Sequence, residues 1–90
     1  MNSKKLPIYT WDEIALHDTH DSAWIVIHGK VYDVTEWIPQ HPGGGIIYDG
    51  AGGDCTPHWE SYHPLSMVQR GPPEKYLIGV VQDYEPRHHY

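Results

Sequence analysis

Ninety residues carrying a net charge of −6, four Trp, seven Tyr, no Phe and one Cys make one small domain whose own core is marginal and which a bound group would help stabilise. Cys55, being alone, excludes an internal disulfide, and the acidic balance disfavours nucleic acid, which asks first for a basic patch. The longest apolar run, residues 76–81, is strand length, and "MNSKKLPIYT" lacks the apolar stretch of a signal peptide; the expectation is a soluble, cytoplasmic monomer with no membrane anchor.

In chain order, "TWDE" at 10–13 is a capping box that predicts a helix from Trp11 to about His17. "AWIVI" at 23–27 and "VYDV" at 31–34 are β-branched and aromatic, with "HGK" between them as a hairpin turn. Thr35 can cap a short helix through Ile38, ended near Pro39, and "GIIYDG" at 45–50 has room for about one and a half turns. Thr56 and Pro57 read as an N-cap and first-residue pair for a helix carrying Trp59 toward Tyr62. "PLSMVQR" at 64–70 predicts a further turn or two broken by "GPP", "KYLIGVV" a closing strand, and "EPRHHY" a frayed end. The sum is one α+β domain over residues 1–90, with its core at about 8–81 and a tail at 82–90.

No Lys or Arg falls between Lys30 and Arg70, whereas Asp33, Glu36, Asp49, Asp54 and Glu60 do. That one-sign stretch reads either as a solvated surface or as a docking face for a basic partner. Six glycines crowd residues 37–55, "WIPQHPGGGIIYDGAGGDC", which is costly in backbone entropy and implies that something needs the room.

Of the eight histidines, His17, His20, His28, His88 and His89 read as solvated surface groups, leaving His41, His58 and His63 in the glycine-rich middle. Zinc is disfavoured because no Cys-x-x-Cys or His-x-x-x-His spacing is present. Cys55 followed by His58 is a poor nucleophile and base pair, and a buried structural thiol is the better reading. A flat apolar ligand gripped on both faces by His41 and His63 fits these features. Haem asks for an imidazole on each side, for backbone free of side chains beside the ring edge, and for large apolar walls.

"AWIVIHGKVYDVTEWIPQ", "HPGG" at 41–44 and "AGGDCT" at 51–56, followed by a second histidine, resemble a cytochrome b5 haem-binding domain over about residues 8–81. The resemblance implies noncovalent haem b (protohaem IX) held between two pairs of short helices over a small mixed β-sheet. It implies His41 and His63 as the iron ligands, with His58 and Met67 as lesser candidates. Ile27, Val34, Trp37, Ile38, Pro42, Gly43, Ile46, Ile47, Trp59, Tyr62, Leu65, Met67 and Val68 would form the pocket, and Trp24 would sit in a second core. Pro64 stands where the microsomal pattern has a hydroxyl residue for a haem propionate. Gly45, Ile46 and Ile47 replace acidic residues near the haem edge.

With both axial positions filled, the implied role is one-electron transfer without turnover. The partners would be a flavin-dependent reductase of the cytochrome b5 reductase type and an acceptor oxidase, desaturase or hydroxylase, met through Glu36, Asp49, Asp54 and Glu60. The chain could equally be a domain of a larger oxidoreductase. The alternative is a regulatory module of the membrane-associated progesterone receptor type, which uses a tyrosine at haem and directs attention to Tyr48 and Tyr62. A third reading is an acidic docking module without redox cycling.

Overall fold

The computed structural model describes residues 5–40 and 44–84, the side chains of Ile46, Val68 and Gln69 excepted. Its frame is a five-stranded sheet in the order β1 (Ile8–Tyr9), β5 (Leu77–Val81), β4 (Lys30–Asp33), β3 (Ser22–Ile27), β2 (Asp18–Thr19). Only β1 and β5 run parallel, Ile8 opposite Val80; the other pairs are antiparallel.

The β3–β4 hairpin turns on His28 and Gly29 at φ 51° and 80°, with Ile27 opposite Lys30. Two consecutive positive φ values match the right-handed strand twist, and glycine accepts one of them without strain. A side chain at Gly29 would also run into the Tyr84 ring.

Alternation along β3 and β4 divides the interior in two. Ala23, Ile25, Ile27 and Tyr32, with Val34, Ile38, Cys55 and Trp59, form one buried cluster. Val26 and Val31 point the other way and pack with Ile14 and Val81. Trp24 joins this second cluster, as the resemblance implied. Helix α1 (Trp11–Ala15) seals it, and its capping box is complete: the Glu13 N–H donates to the Thr10 hydroxyl at 3.0 Å and the Thr10 N–H to the Glu13 carboxylate at 2.8 Å. The helix stops two residues short of the predicted His17, because the chain turns into β2 at Asp18.

Helices occupy the face of the first cluster: 3₁₀ segments at Ile38–Gln40 and Gly44–Gly50, then α2 (Thr56–Tyr62) and α3 (Leu65–Arg70). Two predicted caps are differently employed. The Thr35 hydroxyl donates to Asp33 Oδ1 at 2.6 Å and accepts the Ala23 N–H at 2.9 Å. It therefore ties the end of β4 to β3, and Pro39 lies inside the following 3₁₀ turn instead of ending it. Thr56 is the first residue of α2, and Cys55 is the N-cap without a side-chain bond. Asp54 Oδ1 accepts the Thr56 N–H at 2.9 Å, while the Thr56 hydroxyl accepts the N–H of His28 at 2.9 Å. The short edges β1 and β2 have no signature of their own in the sequence; each exists because a longer neighbour offers it a ladder.

Candidate functional site

The site is built on α2 and the turn that ends it. His63 closes α2 in an extended conformation, φ −128° and ψ 149°. Its Nδ1 lies 2.9 Å from the Trp59 carbonyl oxygen. A carbonyl only accepts, so the proton sits on Nδ1 and the ring's lone pair on Nε2. The imidazole also stacks on the Trp59 indole, with centroids 3.9 Å apart and planes inclined by 26°. One residue therefore holds the ring twice, by its carbonyl and by its side chain.

Beneath lies an apolar floor. Ile27, Val34, Ile38 and Trp59 are buried, and Trp37 and Ile47 are partly buried against them. Trp37 lies 6.3 Å from Trp59 and 5.7 Å from Tyr76, centroid to centroid. Flanking His63, Tyr62 and Leu65 are 63% and 70% exposed. Met67 is half-buried. Among the described residues, Trp59 Nε1 is the buried side-chain polar atom left without a hydrogen-bond partner. His41, Pro42 and Gly43 lie outside the described residues, as do the side chains of Ile46 and Val68.

The other candidates fall elsewhere. His58 is half-buried with its ring 5.6 Å from that of Tyr62. Cys55 is buried, and burial together with the neighbouring Asp54 pushes its thiol up to about 12. It is no nucleophile at neutral pH. Glu36, Asp49, Asp54 and Glu60 are all exposed, but Asp54 is engaged with the start of α2 and Glu60 lies 2.9 Å from His28 Nε2.

His28 corrects the sequence reading most clearly. It is not a solvated turn residue: half-buried in a left-handed conformation, it joins the hairpin to α2 through both Thr56 and Glu60. His17 likewise stacks on Trp24 at 3.6 Å and meets Ser22 Oγ at 2.6 Å, and His20 packs 3.9 Å from Tyr48. No spacing in the sequence signals these contacts, since each partner is brought by the sheet or by the loop that returns to it.

Residues 10–82 match the model of the cytochrome b5-like haem/steroid-binding domain. The chain belongs to the cytochrome b5 family. It is 39% identical over 82 residues to soluble cytochrome b558 of Ectothiorhodospira shaposhnikovii, covering 87% of this chain and 90% of that protein. Acyl-lipid (8-3)-desaturase B of Dictyostelium discoideum is 44% identical over 85 residues, 93% of this chain but 18% of the desaturase. The chain thus spans less than a fifth of the desaturases it resembles. Among solved structures, cytochrome b558 of Ectothiorhodospira vacuolata superposes with a TM-score of 0.72 at 39% identity, over 84% of this chain and 99% of that one.

Domains of the cytochrome b5 family bind haem b without covalent bonds and are electron carriers, not enzymes. The residues present fit that group. An imidazole with its lone pair on Nε2, an apolar floor of isoleucines and indoles, and exposed side chains beside His63 are of the kind that a haem site uses. Among the described residues no helix is long and apolar enough to cross a membrane.

Proposed function

We propose that the chain carries one electron on a haem b held by His41 and His63, between a flavin-dependent reductase and an acceptor enzyme of the oxidase, desaturase or hydroxylase class. The haem supplies the reversible one-electron step of its iron. The observation that carries the reading is the double hold of Trp59 on His63. A proton kept on Nδ1 by a carbonyl raises the basicity of Nε2, and the stacked indole resists rotation of the ring. His41 would supply the opposite ligand, and with two imidazoles the iron has no open position for oxygen or peroxide.

Ile27, Val34, Trp37, Ile38, Ile47 and Trp59 would exclude water from the macrocycle, with Pro42, Gly43, Ile46, Tyr62, Leu65, Met67 and Val68 completing the walls. Exposed Glu36 and Asp49, and in part Asp54 and Glu60, would meet a basic partner surface. Fusion of similar domains to desaturases supports an acceptor of that class.

The test is the visible spectrum of the purified protein with added haemin, oxidised, reduced with dithionite, and reduced under carbon monoxide. The expected result is a low-spin spectrum indifferent to carbon monoxide, lost in His41→Ala and in His63→Ala. A high-spin spectrum that survives both substitutions, or ready carbon monoxide binding, would overturn the two-histidine reading and favour a tyrosine such as Tyr48 or Tyr62.

A further inference from the structure

The turn of the β3–β4 hairpin puts positive φ on both His28 and Gly29, a geometry that asparagine, aspartate and glycine adopt most readily at its first position. Histidine at φ 51° is a side chain held in a left-handed backbone that the turn by itself does not require. Residues in such conformations persist where the surroundings overdetermine them. At His28 those surroundings are α2. Its backbone N–H donates to the Thr56 hydroxyl at 2.9 Å, and its ring Nε2 lies 2.9 Å from Glu60 Oε2. A carboxylate only accepts, so Nε2 is the donor.

Thr56 and Glu60 are four residues apart on one face of α2, one turn from each other. Contacts at two heights fix both the tilt of a helix and its rotation about its own axis; contact at one height leaves a pivot. Seven residues give α2 little stability of its own, so its setting comes from what it touches. The same side of the hairpin already holds the approach to the helix, the Cys55 N–H donating to the Val26 carbonyl at 2.8 Å and the Val26 N–H to that of Gly53 at 3.0 Å. Residues 26–28 thus run alongside 53–60, and His28 extends the hold into the helix proper.

An adjacent strip of α2 leads from Trp59 to His63, also four apart. Trp59 grips the imidazole by its carbonyl at 2.9 Å and by its indole at 3.9 Å, so turning the helix turns the ring. A ligand side chain keeps its geometry only when held within about 10–20°. We propose that His28 is a positioning residue for His63: through Thr56 and Glu60 it sets the rotation of α2, and with it the direction in which Nε2 of His63 meets iron. The inference rests on His63 as an axial ligand.

The experiment compares the haemin-loaded parent with His28→Asn and His28→Gln. Asparagine accepts the left-handed turn and keeps the backbone bond to Thr56 but is too short to reach Glu60; glutamine carries an amide N–H about as far as Nε2. The low-spin g values are read by EPR, the reduction potential by titration, and the stability of the haemin-free protein by urea unfolding. His28→Asn should stay low-spin and keep the parent's urea midpoint, relief of the turn offsetting the lost contact. Its g values and potential should shift, and haemin should pass to an acceptor protein about 2- to 5-fold faster. His28→Gln should return all three toward the parent. Combining His28→Asn with Glu60→Gln should do no more than His28→Asn alone, since both act on one contact.

Parent g values and potential in His28→Asn, equal shifts in the two single variants, or additive losses in the double variant would overturn the proposal. So would a fall in the urea midpoint large enough to account for the whole loss of haemin, which would make His28 a brace for the fold alone. Should His28→Asn fail to fold, Glu60→Gln carries the same test from the other side of the contact, and parent g values there would overturn it equally. Failure of the two-histidine reading is seen separately, as a parent spectrum that survives His63→Ala.

Discussion

Gly50 ends the 3₁₀ segment on one arm of the helical face, and Cys55 is the N-cap of α2, the helix that delivers His63. A Cβ at Gly50 would collide with Cys55 Sγ, whereas Cys55 Cβ and Cα, at 3.6 and 3.8 Å, are in ordinary contact. The conflict in Gly50→Ala is thus with one sulfur atom. Overpacking of this kind costs about 1–3 kcal/mol, against which alanine recovers about 0.4–1 kcal/mol by restricting the unfolded chain. The net expectation is a loss of about 1–2 kcal/mol, or roughly 5–15 °C in Tm for a domain of this size.

Cys55→Ala alone should lose about 1 kcal/mol with the buried thiol. The double variant should return close to the parent, since removal of the sulfur removes the clash. Urea unfolding of all four proteins, with and without haemin, measures the cycle. Additive losses, with no rescue by Cys55→Ala, would refute the view that a thiol-sized space is why glycine stands at position 50.

Other expectations follow from single contacts. Thr10→Ala removes the capping box of α1 and should cost about 1 kcal/mol, with haemin affinity unchanged because α1 seals the second cluster; isothermal titration beside urea unfolding separates the two effects. Glu60→Gln removes the charge from one of the two contacts that join the hairpin to α2, the Thr56 bond remaining, and should leave the spectrum low-spin while speeding haemin loss to an acceptor protein. Trp59→Phe removes the orphaned N–H but leaves a cavity where the larger buried ring stood, so haemin-free protein should lose about 1–3 kcal/mol in urea unfolding; stability unchanged or raised would show that the unpaired N–H outweighs the lost packing.

Burial raises Cys55 from 9.0 and Tyr32 from 10.0, each to about 12, Glu74 adding to the effect at Tyr32. Both groups stay protonated in the fold while the unfolded chain releases its protons, so their contribution is complete below about pH 9 and is lost as pH rises toward 12. Urea midpoints across that range should fall in the parent and fall less in Cys55→Ala. Iodoacetamide should leave Cys55 unmodified at pH 8 until urea unfolds the chain.

What could be read without coordinates is what neighbouring residues decide among themselves. Thr10 and Glu13 are three apart and close a capping box by local geometry, and "HGK" between two β-branched runs can do little but turn. The unbroken apolar run Ala23 to Ile27 predisposes a strand buried on both faces, and the ordered motifs around His41 and His63 identify the family.

The tertiary structure decided where polar groups with several possible partners would bond. Thr56 and Thr35 look like caps in sequence, but each hydroxyl finds a distant backbone N–H brought within 2.9 Å by the sheet, that of His28 and of Ala23. The loop 50–55 docks on β3, with the Cys55 N–H donating to the Val26 carbonyl at 2.8 Å and the Val26 N–H to that of Gly53 at 3.0 Å, and this places the start of α2. His28 and Glu60 are the same case. Residues 28 and 32 positions apart have no local reason to meet, and only the shared burial of the two clusters brings them together.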